Sequence, residues 1–171
     1  YSYDLRAAFY VKRKKTDLSA AIISLADTSV SYTGDAVEPV VTVTAEGKVL
    51  TKGTDYTVSY SNNTKVGTGT VTVTGIGEYT GEAKASFTIS PASIRETDEE
   101  KNFVYKITFS KVSYTYSGSE CKPVPTVKYN GKALTRDKDY TYSYSNNVNA
   151  GKPTVTVMGK GNYTGSRVFT F

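Results

Sequence analysis

The segment Tyr32–Phe87 can be laid over Tyr116–Phe171 at an offset of 84 without a gap, and 29 of the 56 positions are identical. An internal duplication of this length constrains the fold more than any single motif, because each copy has to be one structural unit built from the same pattern. The phrase "DYTVSYSNN" at Asp55–Asn63 returns as "DYTYSYSNN" at Asp139–Asn147, and "GIGEYTG" at Gly75–Gly81 returns as "GKGNYTG" at Gly159–Gly165. Tyr1–Val11 ("YSYDLRAAFYV") aligns with Tyr79–Ile89 ("YTGEAKASFTI"), with Tyr1 on Tyr79 and Phe9 on Phe87. Residues 1–11 are therefore expected to be the last strand of a partial third repeat, paired with a sheet edge of the first domain or of another molecule.

Inside each copy the apolar residues alternate with period two. Tyr56, Val58 and Tyr60 share one face of their segment, as do Tyr140, Tyr142 and Tyr144 in the second copy. Val71 and Val73, and likewise Val155 and Val157, point one way with Thr between them; Ala83, Ala85, Phe87 and Ile89 share one side of the closing segment. That is the signature of half-buried antiparallel strands. Asn130-Gly131 marks a two-residue hairpin turn, since both residues tolerate positive φ, and Glu46-Gly47 serves the same place less ideally. The "SNN" that ends each phrase reads as a turn, because Asn accepts left-handed backbone angles. No helical period of useful length occurs; "IISL" leading into "TSVSYTG" reads as two strands. About seven short strands per copy, with turns every 8–12 residues, suit a small β-sandwich.

Several chemistries are excluded by composition. The chain has no His and no Gln, and Cys121 is its single cysteine. A disulfide within the chain, a Cys/His zinc centre, and Ser-His-Asp or Cys-His catalysis all lack their residues. Cross-links that need Gln are ruled out, and a Lys–Asn isopeptide would need those groups buried together with a carboxylate. Cysteine poverty favours an extracellular setting. The net charge of +5 is too modest to imply nucleic acid, and there is no apolar run of membrane-spanning length.

The pattern of "YTG", "P.VTV", "DYTVSYSNN", "TVTVTGIGEYTG" and "SFTI" resembles the immunoglobulin-like repeats of secreted and surface-attached proteins of Gram-positive bacteria, over essentially the whole chain. The resemblance implies an all-β fold of two tandem immunoglobulin-like antiparallel β-sandwiches, preceded by one strand of a partial third repeat. The expected divisions are 1–15 (leading strand and basic linker), 16–90 (first repeat), 91–102 (linker or connecting strand) and 103–171 (second repeat). It further implies a non-catalytic spacer or display module at the cell surface or secreted. The implied partners are neighbouring repeats of the same chain and cell-wall polymer, glycan or a host surface protein; no cofactor and no metal are expected. The alternative is an adhesin module that binds glycan or host protein through exposed tyrosines. Asp137, Pro153 and Phe169 depart from their counterparts Gly53, Gly69 and Ala85.

The candidate contact residues are tyrosines, which combine an apolar ring with a polar tip. Tyr114, Tyr129 and Tyr142 have Val30, Ala45 and Val58 as counterparts, so they are candidates for exposure or for a contact peculiar to the second copy. Tyr56, Tyr60, Tyr140 and Tyr144 recur in both copies and are expected in the core. Asp137 and Asp139 alternate as an acid pair would, yet only Asp139 has an acidic counterpart, Asp55. The run Lys12–Lys15 is expected to be a solvated linker. The glycines of "GKGNYTG" do not have the spacing of a phosphate loop. "NNT" and "NYT" match the glycosylation sequon and are read as turns. Cys121, matching Val37, is expected to be a small buried apolar residue.

Overall fold

A computed structural model describes residues 13–95 and 105–171; the expected leading strand at 1–11 lies outside the described residues. The described chain is all-β, with several separate sheets as in a β-sandwich and no α-helix.

In chain order the strands are β1 (Thr16–Asp17), β2 (Ile22–Leu25), β3 (Ser29–Ser31), β4 (Val41–Ala45), β5 (Lys48–Val49), β6 (Tyr56–Ser61), β7 (Gly67–Gly75), β8 (Tyr79–Thr80), β9 (Glu82–Ser90) and β10 (Ala92–Ser93). They continue with β11 (Lys106–Phe109), β12 (Pro125–Tyr129), β13 (Lys132–Ala133), β14 (Tyr140–Ser145), β15 (Thr154–Gly159), β16 (Tyr163–Thr164) and β17 (Ser166–Thr170). The first repeat has a sheet in the order β2-β4-β5 and another in the order β3-β9-β7-β6. The second has β11-β12-β13 and β14-β15-β17. The fourth strand is missing from that last sheet: residues 113–115, the counterpart of β3, are in no strand.

By contact density the described chain forms two compact units. One comprises residues 13–26, 40–60 and 71–85; the other comprises 27–39, 61–70, 86–95 and 105–171. The second unit therefore contains strips of the first repeat as well as all of the described second repeat. In the first unit Leu18, Val43, Leu50, Tyr56, Val71 and Val73 are buried. In the second, Ala92, Ile94, Val127, Tyr129, Tyr140, Val157 and Tyr163 form one core cluster with Tyr105. The valines expected to face inward, Val71, Val73, Val155 and Val157, are at most 1% exposed.

The repeated phrase is scaffold in both copies. The carboxylate of Asp55 accepts from the amide of Thr51 at 2.8 Å, and that of Asp139 accepts from Thr135 at the same distance. Each closes the turn that leads into its strand. At the far end Asn62 and Asn146 take φ of 54° and 55°, which few residues other than Asn and Gly tolerate. The following asparagine then clamps a neighbouring strip. The Asn63 side-chain amide donates to the carbonyl of Val37, and that of Asn147 to the carbonyl of Cys121, both at 3.1 Å. The tight "GxG" segments have a packing reason: a Cβ on Gly159 would lie 2.7 Å from the amide nitrogen of Thr164.

One part of the expected linker is structured. Ala92 and Ser93 pair in parallel with Tyr163 and Thr164, as Thr16 and Asp17 pair with Tyr79 and Thr80. Leu18 and Ile94 follow these pairs and are completely buried. Asp17 accepts from the amide of Ser19, and Ser93 accepts from that of Arg95, so the same turn is made with different side chains.

Candidate functional site

The structure separates the three candidate tyrosines into two settings. Tyr129 is only 6% exposed, so it is not a surface contact. It ends β12 where the first repeat has Ala45, and its larger ring reaches the strip 32–35 of the first repeat, which lies in the same compact unit. Its hydroxyl donates to the carbonyl of Tyr32 at 2.9 Å. Its ring stacks on Tyr105, with centroids 4.7 Å apart, and meets Tyr163 edge-on at 5.4 Å. Tyr163 in turn meets Tyr32 edge-on at 5.5 Å. Such pairs contribute about 0.5–1.5 kcal/mol each beyond the area they bury.

Polar contacts surround these rings. The Asn130 amide donates to the carbonyl of Thr33 at 3.3 Å, and the amide of Val66 donates to the side-chain oxygen of Asn162 at 3.1 Å. The Lys132 ammonium bonds the Asp35 carboxylate at 2.9 Å, which holds its pKa above the usual lysine value. Burial, reinforced by the neighbouring Tyr32, pushes the Tyr163 phenol far above the ordinary 10.0. The set is a joint between the two copies, made of rings that exclude water and a rim of hydrogen bonds.

Tyr114 and Tyr142 lie in the second setting, both half-buried. Along β14, Tyr140 lies 6.4 Å from Tyr142, and Tyr142 lies 5.7 Å from Tyr144. Tyr144 is 6.4 Å from Phe171, and Phe171 is 5.8 Å from Tyr114. The result is a row of five rings. The Arg136 guanidinium sits 4.5 Å over Tyr142 and the Lys111 ammonium 4.6 Å over Tyr114, so each of these rings carries a cation. Within the row the Tyr144 hydroxyl donates to the carbonyl of Pro123, and burial first, then the nearby Tyr142, raises its pKa. Tyr140 is buried, as its recurrence suggested, and donates to the carbonyl of Pro125. Sequence reasoning missed Phe171 and the two cations; the cations have no pattern that would have revealed them.

Asp137 and Asp139 are not arranged as an acid pair. Asp139 is engaged by the Thr135 amide, while Asp137 takes φ of 66° in a turn and lies 3.5 Å from the exposed Arg136. Cys121 is only half-buried, in contrast to Val37, because the strip around it borders an open groove. Arg13, Lys14 and Lys15 are exposed, and Arg13 lies 3.8 Å from Glu78. Among the described residues no group of His, Cys, Asp and Glu is placed to hold a metal ion, and no helix is long and apolar enough to cross a membrane. The chain matches no family model, no curated protein and no solved structure.

Proposed function

We propose that the chain is a non-catalytic extracellular spacer or display module, in which tandem immunoglobulin-like repeats hold a defined geometry. The observation that carries this reading is the joint around Tyr129. A spacer needs its copies fixed to one another, and here Tyr129, Asn130 and Lys132 of the second copy engage Tyr32, Thr33 and Asp35 of the first. Aromatic rings with two rotatable bonds lose little entropy when fixed, so they suit a stiff joint. The polar residues of the repeated phrase are consumed by turns, which supports a mechanical role over a chemical one.

The test is the width of a distance distribution. Spin labels at Glu38→Cys and Lys160→Cys, in a Cys121→Ser background, should give one narrow distribution. Tyr129→Ala should broaden it. A distribution already broad before that substitution contradicts the proposal.

A second reading rests on the row of rings that ends at Tyr114. Half-buried aromatic faces with cations close by suit a glycan or an acidic stretch of a host surface protein. Binding on a glycan or host-protein array that Tyr142→Ala abolishes, in a chain that stays folded, would favour this reading. Equal signals from the parent and Tyr142→Ala would count against it.

A further inference from the structure

The sheets β2-β4-β5 and β11-β12-β13 have the same register, so their outward faces can be compared rung by rung. In the first repeat Ile22 stands opposite Thr44, and Thr44 opposite Val49. In the second repeat the same rung is Lys106 opposite Lys128, and Lys128 opposite Ala133. The next rung is Ser24 opposite Thr42 in the first repeat and Thr108 opposite Thr126 in the second. Between these rungs Val43 and Val127 turn the other way and are completely buried.

Lys106, Thr108, Thr126 and Lys128 are all exposed and belong to one compact unit. Residues directly opposite in an antiparallel pair have Cβ atoms about 5 Å apart, and like charges there are destabilising. A carboxylate close by would relieve the repulsion. Among the described residues neither lysine is in an ion pair, although Lys122, Lys132 and Arg136 of the same repeat each lie beside a carboxylate. The first repeat builds the same sheet with Ile22 and Thr44 on this rung, so the fold itself does not require charge there.

We propose that the outward face of β11-β12-β13 binds a phosphodiester-linked polyol chain, with Lys106 and Lys128 closing on one phosphate and the hydroxyls of Thr108 and Thr126 donating to the next. Charge complementarity sets the sign of the ligand: one rung carries two ammonium groups, and neither rung carries an acid. The residue types narrow its chemistry. Lysine acts on phosphate as a point charge, whereas planar carboxylates suit the forked guanidinium of arginine, and no arginine stands on these rungs. No aromatic ring stands on them either, so nucleic-acid bases have nothing to stack on. The two rungs are about 6.6 Å apart along the strands, so a polymer with one phosphate on each short polyol unit can meet both.

The experiment titrates the full chain with poly(glycerol phosphate) in calorimetry, with polyglutamate and oligothymidylate of equal charge as competing probes. Saturable binding of poly(glycerol phosphate) is expected, tighter than that of either competitor. Replacing both lysines by the residues of the first repeat, Lys106→Ile with Lys128→Thr, should weaken binding about thirtyfold. It should also lower the slope of log affinity against log salt by about 1.4. The same variant should unfold at higher urea than the parent, because the like-charge rung is gone, which separates lost binding from lost folding. Lys14→Ser with Lys15→Ser removes as much charge from exposed sites elsewhere and should change affinity less than about threefold, as expected for distant screened charges. No saturable binding, equal losses from the two double variants, or tighter binding of polyglutamate or oligothymidylate would each overturn the proposal. The joint around Tyr129, and the spacer reading built on it, would stand in every one of those cases.

Discussion

The hydroxyl of Tyr129 donates to the backbone carbonyl of Tyr32 across 97 residues of chain, at 2.9 Å. The alignment places Ala45 opposite Tyr129, so the first repeat has nothing at this position that could reach a neighbour in the same way. Removing the hydroxyl alone, with Tyr129→Phe, should cost about 1 kcal/mol in urea unfolding, the usual worth of a partly buried hydrogen bond. Tyr129→Ala, which restores the residue of the first copy, should cost about 3–5 kcal/mol because it also leaves a cavity against Tyr105 and Tyr163.

The two hairpins offer a matched pair. Asn130 and Glu46 occupy the same turn position with φ of 48° and 50°. Asn tolerates this left-handed region at lower cost than Glu does. Glu46→Asn should stabilise the chain by about 0.5–1 kcal/mol. Asp137→Gly, at φ of 66° where the first copy has Gly53, should act in the same direction. Thermal unfolding of the two variants provides the check.

Gly69 lies under the ring of Phe87, and Phe87 is 2% exposed. Gly69→Ala should therefore cost about 2–3 kcal/mol through overpacking, since the ring has no solvent to move into. Unfolding by urea would show it, and an unchanged midpoint would mean that the ring yields freely.

The alternation of apolar residues was enough to place Val71, Val73, Val155 and Val157 inside, and Asn130-Gly131 announced its hairpin. Other features were not legible, for physical reasons. The exchange of Ala45 for Tyr129 signalled a contact peculiar to one copy, but residue type alone does not distinguish a ring turned to water from one turned to a neighbour. The short strands β1 and β10 align at an offset of 76 instead of 84, and their shared features are only a polar group before a buried Leu18 or Ile94. Parallel pairing of β3 with the end of β9 leaves no periodic mark, because it depends on where two distant segments meet. Cys121 looked like Val37 by type, yet it lines an open groove and is only half-buried.

Alkaline pH should destabilise the chain. Burial, as the leading cause, raises the phenol pKa of Tyr56, Tyr140, Tyr144 and Tyr163 above 10.0. A raised folded value means that the native state holds its proton more tightly than the unfolded chain does. The stabilisation is fully present below pH 10.0 and is lost as pH climbs from there through the folded values. Tyrosinate absorbance should lag for these groups until the near-ultraviolet circular dichroism collapses, and Tyr163→Phe should flatten the alkaline loss of stability.

The coupling between the copies is best measured by a double-mutant cycle on Tyr32 and Tyr163, whose rings meet edge-on at 5.5 Å. Tyr32→Leu, Tyr163→Leu and the double variant, each unfolded in urea, give the interaction energy directly. A coupling of about 1 kcal/mol is expected for an edge-on aromatic pair of one buried and one partly buried ring at a working joint. Strict additivity of the two substitutions would show that the strip 32–35 and the second repeat do not hold one another, and would contradict the account.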